Sequence, residues 1–128
     1  MITEDYVSFE TAKLLKEKGF NENTRINYFV GDDKPRGCVV GEMIYHKRLE
    51  EDTHLIACPT LQMAMKWLRN VHNIHFVVEP FTHDGNKIYY GVDVLDKDLV
   101  TVIYENLEDN TYEKACEAAI KYCLENLI

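Results

Sequence analysis

No apolar run in this 128-residue chain approaches the roughly 20 residues that a membrane-spanning helix requires. Its opening stretch, MITEDYVSFE, has neither a basic segment nor an apolar one, so no secretory signal is expected and the cytoplasm is the expected compartment. Proline and glycine are scarce, three and six in all, and scattered, so no linker or low-complexity stretch divides the chain. A single domain over residues 1–128 is the expectation, and a chain this long buries enough surface to fold without staples.

Bases are also in deficit. Fourteen Lys and Arg face 22 Asp and Glu, a formal charge of −8 that repels nucleic-acid phosphates unless the bases are concentrated. The nearest groupings, Lys13/Lys16/Lys18 and Lys47/Arg48, are too sparse for that, so nucleic acid is not an expected partner. Cysteine is present four times but never as C-x-x-C, and no secretory context favours disulfides. Cys116 and Cys123 lie two helical turns apart, which is too far to bridge, so Cys38, Cys58, Cys116 and Cys123 are all read as thiols.

What is present is a regular alternation of elements. Three segments open with a hydroxyl residue, then an apolar one, then Glu or Gln: Ser8-Phe9-Glu10, Thr60-Leu61-Gln62 and Thr111-Tyr112-Glu113. A hydroxyl N-cap followed by an acid or amide in the first turn is a helix-start signal, and it predicts three helices. Gly19 suits a left-handed residue closing the first, with Phe20 folding back on Leu15.

Between the helices lie strand patterns. Residues 25–31 and 38–47 flank a turn-rich stretch and read as a hairpin. Residues 74–82 and 87–96 flank Asp84-Gly85, a second hairpin, and residues 99–104 add a third strand. Pro80 argues for a strand end, a bulge or a sheet edge. Residues 47–57 show no clear period and read as a loop ending in a short strand. The order is α-β-β-α-β-β-β-α. Short connections demand antiparallel pairing, and the helices must bury their apolar stripes, so an α+β two-layer domain is expected, with one five-stranded sheet covered by helices on one face.

The central helix carries the chemistry-bearing residue types. Spaced 100° apart, Leu61, Met63, Ala64, Met65, Trp67, Leu68 and Val71 fill one arc of about 200°, which makes Trp67 and both Met core residues and implies cover by a second helix or a second subunit. Candidates remain at its two ends. Cys58 precedes Pro59 near the helix start, where thiolates are stabilised, and His54 lies four residues upstream, as a Cys-His nucleophile pair would. Against that reading, no Lys or Arg lies within five residues of Cys58 and no orienting third group is recognisable. His72 and His75 form H-x-x-H, which with Glu79 or Cys58 resembles a zinc ligand set but lacks the rigid helical spacing of specific motifs. No metal or cofactor is therefore expected. Tyr89 and Tyr90 occupy consecutive strand positions, so one of them must leave the core face and is a candidate binding residue.

The pattern P-T-x5-K-W-L-R-x-V-H-x-I-H over residues 59–75, followed by T-Y-E-K-A-x-E-A-A-I-K-Y-x-L-E over residues 111–125, resembles a group of small proteins of prophages and mobile elements in gut bacteria. An acid commonly stands there at the position of Asn70. The resemblance covers about half the chain and implies no reaction; it implies an accessory role on host or phage components. The expected function is a non-enzymatic binding or adaptor protein, a homodimer or a partner of a host or phage protein. The alternative is a small enzyme using Cys58 as nucleophile or a His72/His75 metal site.

Overall fold

The computed structural model describes residues 2–31, 34–39, 55–103 and 109–128. The chain forms two compact units, Met1–Thr60 and Leu61–Ile128.

In the first unit, helix α1 spans Phe9–Glu17 and begins where the sequence signals it: Ser8 Oγ accepts the Thr11 amide at 3.2 Å. It ends as Gly19 allows. Gly19 takes φ +96°, its N–H reaches Lys16 O at 3.1 Å, and the Phe20 N–H reaches Leu15 O at 2.9 Å. This pair of crossed bonds satisfies two carbonyls of the last turn and folds buried Phe20 toward buried Leu15.

Strand β1 (Ile26–Gly31) lies between β2 (Lys34–Val39) and β3 (Leu55–Cys58), antiparallel to both. Here the first hairpin differs from expectation. Gly31 pairs with Lys34, so β2 begins at Lys34 rather than at Cys38. Among the described residues β2 borders its sheet, where the N–H that Pro35 lacks is not needed. The expected continuation over residues 40–47, and His54, lie outside the described residues. The short strand foreseen near residue 57 is β3, and α1 packs against it.

In the second unit, helix α2 (Leu61–His72) runs into Asn73, whose φ of +53° turns the chain into β4 (His75–Phe81). Asn accepts the left-handed conformation more readily than most residues. Strands β4, β5 (Tyr89–Leu95) and β6 (Thr101–Ile103) form an antiparallel meander in that spatial order. Helix α3 (Tyr112–Asn126) follows, with Thr111 Oγ1 accepting the Lys114 amide at 3.1 Å. Helix α3 packs on β5, and α2 packs on α3 and β4. Ala115 and Ala119 are fully buried, and small residues let helices approach closely.

The α+β class, the antiparallel pairing and the element order agree with the sequence reading. The sheet does not: among the described residues the strands divide into two three-stranded sheets instead of one of five. The short strand β3 completes the first sheet on β1, and nothing in the sequence pattern separated this from a continuous sheet.

The apolar arc of α2 is also narrower than expected. Leu61, Ala64, Met65, Trp67 and Leu68 are buried, whereas Met63 is 38% and Val71 57% exposed. Met63 lies at the rim of the arc. Val71 lies within it, on the last turn, and is nonetheless exposed.

Candidate functional site

Residues alternate faces along a strand, and cross-strand partners share a face. On β5, Val92 and Val94 are buried, and Tyr90 meets Tyr112 of α3 edge to face at 5.9 Å; these mark the helix-covered side. The register then assigns His75, Val77, Glu79 and Phe81 of β4, with Leu95, Asp93, Gly91 and Tyr89 of β5, to the outer side. On this side Val77 is 40% exposed and Glu79 is exposed.

The β4–β5 hairpin gathers three rings at one end of this outer face. Phe81 and Tyr89 are cross-strand partners, stacked at 5.9 Å between ring centroids with an interplanar angle of 27°. His83 closes on both, 5.0 Å from Phe81 and 5.3 Å from Tyr89. Lys87 places its ammonium 5.2 Å from the Tyr89 ring centre, a cation held over a π face.

The loop chemistry fixes that arrangement. Asp84 Oδ1 accepts the amides of Asn86 at 2.9 Å and Lys87 at 3.2 Å, and Thr82 Oγ1 accepts the Gly85 amide at 2.9 Å. Gly85 takes φ +78°, a conformation that side chains rarely adopt. The amides of Asn86 and Lys87 hold the fully exposed Asp84 carboxyl below its ordinary pKa, so the turn keeps its anion across the neutral range. Gly91 serves a different purpose. A Cβ there would lie 3.4 Å from Phe81 Cε1, so Phe81 leans over the gap left by the missing side chain.

The other candidates are placed apart from this cluster. Cys58 closes β3, is 1% exposed, and donates its thiol to the Val7 carbonyl at 3.6 Å. The Tyr28 hydroxyl donates to the same carbonyl at 2.8 Å, which places the Cys58 sulfur in a packed, hydrogen-bonded layer. His72, on the last turn of α2, meets Trp67 edge to face at 4.9 Å, and its Nε2 is buried without a hydrogen-bond partner. His72 also borders an open groove of about 330 Å³ with Asn73, Ile74, Asp96, Lys97 and Val102. His75 lies on the outer sheet face opposite Leu95. Among the described residues, no group of three or more His, Cys, Asp or Glu is disposed to hold a metal.

Of the sequence candidates, Tyr89 is the one that the structure sets in a cluster of rings. Phe81, His83 and Lys87 were not singled out by sequence. The signal that would have found them is the turn: with Gly85 at the hairpin tip, counting outward pairs Phe81 with Tyr89. No protein family, curated protein or solved structure matches this chain.

Proposed function

We propose that this chain is a non-enzymatic binding or adaptor protein that engages a partner protein through the outer face of its second sheet. The supporting observation is the Phe81–His83–Tyr89 ring cluster, which a tied hairpin loop presents on the side of the sheet away from the helices. Rigid aromatic side chains give large contact area at small entropy cost, which is why they are enriched where proteins meet. Carriage by a prophage or mobile element, action on a host or phage protein, and homodimer formation are parts of the same proposal.

The enzymatic alternative has less support. A thiol that donates its proton to a carbonyl from a 1% exposed site is poorly placed to attack a substrate, and the His72 ring is engaged with Trp67.

A photo-crosslinking amino acid in place of Tyr89 tests the reading, with one in place of Glu113 on the exposed first turn of α3 as control. Crosslinks to a protein, from position 89 and not from 113, are the expected result. Equal or absent crosslinking at both positions would overturn the proposal. Sedimentation of the purified chain reports separately on the homodimer.

A further inference from the structure

The outer face joins its rings to unpaired negative charge. Glu79 and Asp93 share this face as diagonal neighbours, because Glu79 pairs with Gly91 and Asp93 with Val77. Diagonal residues on one sheet face stand about 7–8 Å apart, within the span of one long side chain. Neither carboxylate makes an ion pair or hydrogen bond with another described residue. Phe81 leans over Gly91, the residue directly across from Glu79, so the ring platform and the two acids are contiguous.

Lys87 already shows what this platform accepts, since its ammonium lies over Tyr89. His75, His83 and Lys87 are the basic side chains on the face and its hairpin, beside the acids Asp84, Glu79 and Asp93. The whole chain carries −8, so two copies meeting here would bring like charges together, whereas a basic partner meets opposite charge.

Resting on the binding-protein reading above, we infer that the outer sheet face takes a basic segment of a different protein: an arginine or lysine side chain laid on the Phe81–Tyr89 rings, its charge against Glu79 and Asp93. Arginine suits the site better than lysine, because a planar guanidinium can stack on a ring while donating to two carboxylates.

The test uses the full chain, isotope-labelled, titrated with a blocked peptide of alternating Arg and Gly and with its Glu-Gly counterpart. The expected result is saturable movement of the Phe81, Tyr89 and Gly91 amide signals with the Arg peptide and none with the Glu peptide. The double variant Glu79→Gln, Asp93→Asn, which breaks no ion pair or hydrogen bond among the described residues, is expected to weaken binding about tenfold or more. Binding is also expected to fall steeply as salt rises. Shifts spread over acids elsewhere, such as Glu10 and Glu22, no shift in β4 and β5, or undiminished binding by the double variant would each overturn the inference. The crosslinking experiment separates this outcome from failure of the parent reading. If position 89 crosslinks a partner whose yield Glu79→Gln, Asp93→Asn leaves unchanged, the face binds proteins but not basic ones.

Discussion

Tyr89 and Tyr90 are neighbours in sequence and face opposite ways, each with a ring partner 5.9 Å away: Phe81 on the outer face for Tyr89, Tyr112 of α3 for Tyr90. Truncating each should therefore cost different things. Tyr90→Ala removes a contact between sheet and helix and is expected to cost about 2 kcal/mol in urea unfolding. Tyr89→Ala removes one stacked pair at the surface and is expected to cost about 1 kcal/mol while abolishing partner capture. Equal losses of stability would mean that the two faces are not distinct in packing.

Trp67 is 7% exposed and stands on the buried side of α2. Trp67→Ala is expected to destabilise the chain by about 3–5 kcal/mol, as large truncations in cores do. A melting temperature unchanged by this substitution would move Trp67 from the core to a surface role. Val71→Lys, four residues on but 57% exposed, is expected to change stability by less than about 0.5 kcal/mol.

Cys116 and Cys123 give a pH dependence. Burial pushes the Cys116 thiol up to about 11, with Glu113 adding to the rise and a hydrogen bond from Tyr112 opposing it; burial pushes Cys123 up to about 12. Both groups bind their protons more tightly in the folded state than in the unfolded chain, whose thiols ionise near the ordinary value of 9.0. Their contribution is complete below pH 9 and is lost as pH rises toward 11 and 12. Denaturation midpoints measured from pH 8 to pH 11 are expected to fall above pH 9, and the double variant Cys116→Ala, Cys123→Ala is expected to flatten that fall. In native buffer these two thiols and Cys58 are expected to resist alkylation until the chain unfolds.

Leu99 holds φ +59° in the turn between β5 and β6, with its side chain 66% exposed. A leucine gains nothing there to offset the crowding of its Cβ in the left-handed region. The turn is held by others: Asp96 Oδ1 accepts the amides of Asp98 at 2.9 Å and Val100 at 3.0 Å. Leu99→Asn is expected to stabilise by about 0.5–1 kcal/mol, read as a higher midpoint in thermal or urea melts. A loss of stability would show that the apolar side chain is covered in solution.

Local chemistry made much of this fold legible. The caps at Ser8 and Thr111, the crossed bonds closing α1 at Gly19, and the turn at Gly85 all follow from residues within five positions of one another, which a linear reading can see. The division into two sheets depends on where β3 pairs, a contact between residues about 30 apart whose strand has only four residues and no distinctive period. The site was half legible for the same reason. Alternation separated Tyr89 from Tyr90, but pairing Phe81 with Tyr89 needed the exact hairpin register, and the gap above Gly91 exists only once that register is set.

Pro80 carries a consequence for assembly. Its cross-strand partner Tyr90 exchanges both of its backbone bonds with Asp109, on the other side of β5, so the Pro80 nitrogen points away from the sheet, along its outer border. That border therefore lacks a donor where an added strand would look for one. Among the described residues, β4 and β6 are the two borders of this sheet, and β6 is three residues long and joins β5 through a register shift at Val94/Leu95. Proline at position 80 thus leaves the β4 margin short of one backbone donor for strand addition, and replacing it would restore that donor.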